Sequence, residues 1–375
     1  MFFRRPGHTT GKKGGAVMQS FSLGPILYYG DDALSQLSRC RARSVLVVTD
    51  SFFDRSGLAR QVAGRIPGAD VTIFSQVTPD PSVELVARGA EVLDRLQPEA
   101  LLALGGGSPI DCAKAMVYTA DRRPLFIAVP TTSGTGSEVT RFSIVSHGGV
   151  KHPLIDETLR PDWAILDPGL LQGLPPALVA DAGMDTVTHC LEALAADGAS
   201  PLTDGLALEA LALCVALLPR SYRGETAVRG RLHLAATMAG LAFDHAGLGL
   251  CHALAHALGG RFHVAHGRLG GVLLPAVVAF NGAARPERYR AAAKAAGVSG
   301  TADSLLVRGL AAALERLRAA LGLPATLAEA GIDPGALEAA LDSLVGAALA
   351  DPCLAANPRP AGPEDLRALL RRAAR

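Results

Sequence analysis

Two regimes of hydrophobic patterning divide the chain. In the first, short uninterrupted apolar runs alternate with segments of helical period. Residues 44–49 read Ser-Val-Leu-Val-Val-Thr and end at Asp50; a run that is apolar on both faces suits a strand buried inside a parallel sheet. Residues 70–74, 100–104 and 125–129 have the same character. Between them, 57–66, 82–96 and 109–118 carry helical spacing, the second preceded by Pro81 and capped by Ser82. This β-α-β-α order predicts a parallel sheet with helices on both faces. Gly148-Gly149 predicts a hairpin turn between two short strands. From about Leu178 the second regime begins: Ala and Leu dominate, the period becomes 3.6 and strand signals vanish. Helices are predicted over 203–218, 229–243, 252–258, 286–296, 304–321, 335–349 and 363–374. The expected organisation is a disordered extension (1–17), an α/β domain with a Rossmann-like parallel sheet (18–177) and an all-α domain (178–375), with the boundary near Pro175-Pro176.

Composition narrows the function classes. The 375 residues carry a net charge of +1, are 49% apolar and 19% charged, and hold only 5% aromatics. Such a chain folds into packed cores. It lacks the basic excess of a nucleic-acid or membrane-surface binder and the aromatics of a single-strand stacking platform, so neither nucleic acid nor membrane is an expected partner. No stretch of about 20 uninterrupted apolar residues predicts a transmembrane helix. Residues 1–17 lack the apolar core of a secretory signal and hold Pro6, Gly7, Gly11, Gly14 and Gly15; they read as a disordered extension, or as a stretch ahead of a true start at Met18. Six scattered Cys without CxxC pairs suit a reducing compartment and no disulfide framework.

Two glycine-rich turns follow predicted strands. Gly105-Gly106-Gly107-Ser108 opens a helix, and free backbone N–H groups at a helix start bind phosphate, with glycine admitting close approach. The plain alternative is an ordinary strand-to-helix turn. Neither GxGxxG nor GxxxxGK[ST] is present, so a nucleotide site here departs from the usual Rossmann and P-loop types. The second turn, 130–138 (Pro-Thr-Thr-Ser-Gly-Thr-Gly-Ser-Glu), offers hydroxyls and amides suited to phosphate, ribose or nicotinamide. Asp50, ending a strand, is placed either to accept from ribose hydroxyls, which would repel a 2′-phosphate, or to cap a helix.

Asp185 and His189 stand at i and i+4, as do His252 and His256; His266 follows in Ala-His-Gly. On helices each pair shares a face. One carboxylate and up to three imidazoles make a set for a divalent transition metal acting as Lewis acid on a carbonyl or alcohol oxygen; a satisfied core histidine is the plain alternative for each alone. HExxH is absent, which leaves a zinc protease without support. The other six His read as surface or structural. Cys190 and Cys251 adjoin candidate ligands in sequence but point about 100° away on a helix.

Together, Gly105 to Lys114 (GGGSPIDCAK), Pro130 to Val139 (PTTSGTGSEV), Gly183 to Ala193 (GMDTVTHCLEA) and Gly247 to Pro275 resemble, in order, the iron-dependent (group III) alcohol dehydrogenases. The resemblance runs from about Ser20 onward. Lys151-His152-Pro153-Leu154, Leu166-Asp167-Pro168 and Asn357-Pro358-Arg359-Pro360 look most like the family's propanol-dehydrogenase branch of propanediol-utilising microcompartments. The resemblance implies Fe²⁺, sometimes Zn²⁺, held by Asp185, His189, His252 and His266, with His256 as a proton relay. It implies NAD(H) held by Gly106, Gly107 and Ser108 at the pyrophosphate and lined by Thr131, Thr132 and Thr135, with Lys151 nearby and Asp50 favouring NAD over NADP. It further implies a small primary alcohol and its aldehyde as substrates, a homo-oligomer, and a cytoplasmic setting that extends to a microcompartment. Ala265 and Arg268-Leu269-Gly270 depart from the family pattern around His266. Arg268 points towards an anionic aldehyde or hydroxy acid, such as succinic semialdehyde or maleylacetate, unless it pairs with an acid. A sugar-phosphate cyclase would need more cleft cations than Arg141, Lys151 and Arg268. A non-catalytic NAD- or metal-binding assembly component is the reading from another class.

Overall fold

The computed structural model describes residues 20–148 and 150–375. The extension at 1–17, the alternative start at Met18 and Gly149 lie outside them. The first part of the chain holds β1 (Ile26–Tyr29), β2 (Ser44–Asp50), α1 (Ser51–Arg55), α2 (Leu58–Ala63), β3 (Asp70–Val77), α3 (Val83–Leu96), β4 (Ala100–Gly105), α4 (Gly107–Thr119), β5 (Leu125–Pro130), β6 (Phe142–His147), β7 (Val150–Ile155) and β8 (Trp163–Leu166). The second holds α5 (Pro176–Ala195), α6 (Pro201–Tyr222), α7 (Arg229–Ala246), α8 (Leu250–Phe262), α9 (His266–Gly282), α10 (Pro286–Ala295), α11 (Asp303–Ala320), α12 (Pro334–Ala350) and α13 (Pro363–Ala373).

Six strands form one parallel sheet in the order β1-β8-β5-β4-β2-β3. The pleat sends alternate residues of each buried strand to opposite faces. Val45 and Val47 pack with Ala59 and Val62 of α2. Leu46 and Val48 pack with Leu85 and Leu93 of α3 and with Ile110 and Met116 of α4. Both faces are thereby covered, as the apolar runs predict. β1 and β8 were not predicted: each has four residues, too few for a period to register. The helix expected over 57–66 contracts to α2, and Gly57, in the left-handed region at φ 76°, separates it from α1. β6 and β7 form the antiparallel hairpin turning at Gly148.

The helical part is built on a continuous core running through α5 to α13. α9 is absent from the helices the sequence predicts. Its glycine-rich start and internal Pro275 argue against a helix, but burial of Leu269, Leu273, Leu274 and Val277 overrides that propensity. By length and composition α6 could cross a bilayer; here its buried residues Ala207, Ala210, Leu211, Cys214 and Leu218 join the core alongside α5 and α7.

The loop after β5 is clamped between the two parts. A Cβ on Gly134 would lie 3.0 Å from Ala182 of α5, and one on Gly136 would lie 2.6 Å from the Gly240 Cα of α7. Gly136 also has φ 61°, so glycine is required there for space and for conformation. This seam brings the carboxyl edge of the sheet up to α5, α7 and α8.

Candidate active site

The cleft beside the seam opens to solvent and is lined from both the sheet and the helical part. On its helical side, α5 projects Asp185 and His189 from adjacent turns, α8 projects His252 and His256, and α9 begins with His266. Asp185 Oδ1 lies 3.9 Å from His189 Nε2, 3.9 Å from His252 Nε2 and 3.6 Å from His266 Nε2. The ligand atoms of Asp185, His189 and His252 lie within 4.8 Å of one another, and His266 approaches this group through Asp185. A tetrahedral first-row ion with ligands at about 2.1 Å separates them by about 3.4 Å, so small movements would close the first three on a metal. His252 Nε2 is buried without a hydrogen-bond partner among the described residues. A buried polar atom aimed at other ligand atoms fits a metal site.

The surroundings fix these side chains. Glu192, one turn after His189, accepts from the Gly249 N–H at 3.0 Å and the Cys251 N–H at 2.6 Å, and its Oε2 lies 2.6 Å from His252 Nδ1. It thus holds the start of α8 and turns His252 Nε2 towards Asp185. His189 stacks on Phe243 with ring centroids 4.4 Å apart. Burial pushes the Asp185 carboxyl up to about 6. Burial and the neighbouring His252 hold the His189 and His266 rings well below the ordinary imidazole value. Burial also opposes a charge on His252, but the Glu192 and Asp185 carboxylates outweigh it and the ring is raised. His256 stacks on His266 at 5.0 Å between centroids, and its Nδ1 bonds Asp351 Oδ2 at 2.8 Å. Its Nε2 is the ring nitrogen left for chemistry.

On the sheet side, Gly107 and Ser108 at the start of α4, with Thr135, line the same cleft. Gly106 caps α4 with no side-chain hydrogen bond, so no side chain competes for its first N–H groups. A Cβ on Gly107 would lie 2.8 Å from Thr135 Cγ2, so the loop presses directly on the turn. Lys151 of β7 also lines the cleft and reaches Asp80 Oδ1 at 2.6 Å. Thr131 is buried, with its N–H donating to Gly105, and Thr132 packs against Gly106; neither lines the cleft. Asp50 caps α1, its Oδ1 accepting from Phe52 and Phe53 N–H at 2.8 and 3.2 Å. It stands at the carboxyl edge of the sheet, where ligands of such folds bind, and its Oδ2 has no hydrogen bond among the described residues.

Arg268 resolves in favour of pairing. Its guanidinium forms a two-pronged bond with Asp181 of α5 at 3.2 and 3.0 Å and does not line the cleft. The sequence argument for an anionic aldehyde loses its cation. Of the six His set aside, His147, His152 and His263 are exposed, His245 bonds the Ser22 carbonyl, and His233 is buried with Nδ1 3.0 Å from Ser133 Oγ; His8 lies outside the described residues. Cys190 and Cys251 are fully buried, and burial raises both thiols. Sequence reasoning passed over Glu192, Asp351, Asp80 and Asp111. Glu192 shares the helix face of Asp185 and His189 by spacing alone. Asp111, whose side chain accepts from Ser137 Oγ and Ile144 N–H, stands three residues before the buried Lys114 in a motif already singled out. Asp351 lies 95 residues from its partner His256 and leaves no sequence signal.

A parallel sheet ending in a glycine-rich helix start, facing an Asp/His₃ set across one cleft, defines a metal-dependent dinucleotide-linked oxidoreductase. Comparison with known proteins narrows this. Residues 25–168 match the iron-containing alcohol dehydrogenase family and residues 179–374 match the Fe-containing alcohol dehydrogenase family, C-terminal. The chain is 40% identical over 366 residues to 1-propanol dehydrogenase PduQ of Salmonella typhimurium, covering 94% of this chain and 99% of that one. It is 36% identical to an NADPH-dependent butanol dehydrogenase of Clostridium saccharobutylicum, covering 93% and 96%. A crystal structure of 1,3-propanediol oxidoreductase superposes with a TM-score of 0.90 at 31% identity, covering 95% of this chain and 100% of that one. The chain belongs to the iron-containing alcohol dehydrogenase family. It is an oxidoreductase of the iron-containing alcohol dehydrogenase type.

Proposed function

We propose that this enzyme interconverts a short primary alcohol and its aldehyde, with propanal as the preferred aldehyde and NADH as the hydride donor. The observation that carries the reading is the convergence of Asp185 Oδ1 with three histidine Nε2 atoms on the cleft lined by Gly107 and Ser108. Asp185, His189, His252 and His266 would hold the iron. Gly106, Gly107 and Ser108 would hold the pyrophosphate, and Thr131, Thr132 and Thr135 would shape the cofactor's bed from below or beside it. The bound iron supplies a Lewis acid for the substrate oxygen and the nicotinamide supplies the hydride.

The remaining work belongs to the chain's own residues. Glu192 keeps His252 in the tautomer that leaves Nε2 free. Asp351 orients His256, whose Nε2 gives a proton to the nascent alkoxide in reduction and takes one in oxidation. Lys151, its charge matched by Asp80, closes the hairpin side of the cleft. Asp50, with Oδ2 free of partners among the described residues, suits a ribose hydroxyl and disfavours a 2′-phosphate. In this reading residues 18–177 bind the dinucleotide and 178–375 bind the metal. The chain works as a homo-oligomer in the cytoplasm, and its likeness to the propanol branch extends that setting to a microcompartment.

Anaerobic NADH oxidation by apo protein reloaded with Fe²⁺ or Zn²⁺, across propanal, acetaldehyde and succinic semialdehyde, tests this. Iron-dependent turnover, fastest with propanal, is expected. Preference for succinic semialdehyde would overturn the substrate assignment, and turnover indifferent to chelation would overturn the metal site.

A further inference from the structure

The described residues bring a second set of ligand types together in the same cleft. His256, Asp351 and Cys353 each present one ligand atom, and the three atoms lie within 4.8 Å of one another. Asp351 follows α12 and caps the short helical turn 352–356, its Oδ1 accepting from the Cys353 N–H at 2.8 Å while Oδ2 meets His256 Nδ1 at 2.8 Å. His256 and Cys353 line the cleft. His256 and Asp351 also border a second, open hollow between α8 and α12. His256 and Asp351 are therefore reached from solvent, with Cys353 buried behind them against the helical core.

The chemistry of this cluster differs from that of the Asp185 cluster in having three ligands, one of them sulfur. The Asp/His₃ set offers nitrogen and oxygen only, whereas this set adds a thiol. Thiolate ligands favour Zn²⁺, and three protein ligands with one open position are its usual arrangement outside closed structural sites. Charge also balances: a carboxylate and a thiolate neutralise a divalent ion, and the nearby Lys151 is already compensated by Asp80.

We propose that His256, Asp351 and Cys353 form a second metal site, selective for Zn²⁺ over iron, whose occupation removes His256 from proton transfer. On binding, the ion takes His256 Nδ1, whose proton is relocated through solvent to Nε2, and the thiol proton of Cys353 passes to solvent. The ring stays neutral with Nε2 occupied by hydrogen, so it can no longer take a proton, and no electrons move. The effect on turnover rests on the role given to His256 in the proposed function; the binding does not, and the two are read separately.

The test is an anaerobic titration of the iron-loaded full chain with Co²⁺, a spectroscopic substitute for Zn²⁺. A thiolate-to-cobalt charge-transfer band is expected, saturating at one equivalent while the iron content stays constant. The Asp185 cluster cannot produce that band because it contains no sulfur. Added Zn²⁺ should bleach the band and lower aldehyde reduction by roughly a hundredfold, the low end of what a positioned proton-transfer group contributes. Cys353→Ser, with folding verified by circular dichroism, should abolish the band. Asp351→Asn should weaken uptake of the second equivalent by about tenfold or more. Absence of the band in the wild type, its survival in Cys353→Ser, or release of one iron per cobalt bound would overturn the site. A saturating band with undiminished turnover would establish the site and overturn the role of His256.

Discussion

The two walls of the cleft are built by opposite means. The helical wall is made of side chains: Asp185, His189, His252 and His266 converge, and Glu192 and Asp351 hold two imidazoles from behind. The sheet wall is made by leaving side chains out: Gly106 exposes backbone, and Gly107 accepts Thr135 where a Cβ would collide. A metal demands particular atoms at fixed separations. A dinucleotide demands backbone and room. Substitutions on the first wall should therefore act on metal and leave cofactor binding alone, and substitutions on the second should do the reverse.

The largest expected effect comes from the seam that joins the walls. Burial pushes the His233 ring down to about 4, against about 6.5 in an unfolded chain. The unfolded state binds more protons between those values, so the native state is fully favoured above about pH 6.5 and loses stability as pH falls towards 4. Denaturant unfolding at pH 7 and pH 4 should show a larger loss in the wild type than in His233→Gln, by up to about 3 kcal/mol. Equal losses would show that the ring does not titrate across the transition. Next is Glu192→Gln, which should weaken iron binding roughly 10- to 100-fold with NADH affinity intact; competition with a chelator and NADH fluorescence read the two separately. Gly107→Ala should invert that pattern, costing about tenfold in NADH affinity at unchanged iron content. If it also loses iron, the walls are not independent. The smallest effect belongs to Asp50→Ser, which keeps a capping oxygen and removes the charge. The ratio of kcat/KM for NADPH to that for NADH should rise about fivefold, near 1 kcal/mol.

The same contrast explains what the sequence made legible. Buried parallel strands announce themselves as two-sided apolar runs, so β2 to β5 could be read directly, while β1 and β8 fell below the length at which a pattern forms. The pairs Asp185/His189 and His252/His256 carry a helical spacing that selects them from the ten His in the chain. Glu192 carried that spacing too and was passed over. Asp351 depends on the packing of α12 against α8, which no local pattern encodes. Thr131 and Thr132 resemble Thr135 in sequence, and only the path of the loop separates the residue on the cleft from the two behind it. Arg268 is a similar case, its direction set by Asp181 on a different helix.

Glu192 has one more consequence. Its three bonds anchor the first turn of α8 and set the direction of His252 without calling on any atom outside the protein. One side chain thus sets two things that would otherwise vary separately, where α8 begins and which way its first imidazole faces. A positional error in the helix start is therefore converted directly into an angular error in a candidate ligand.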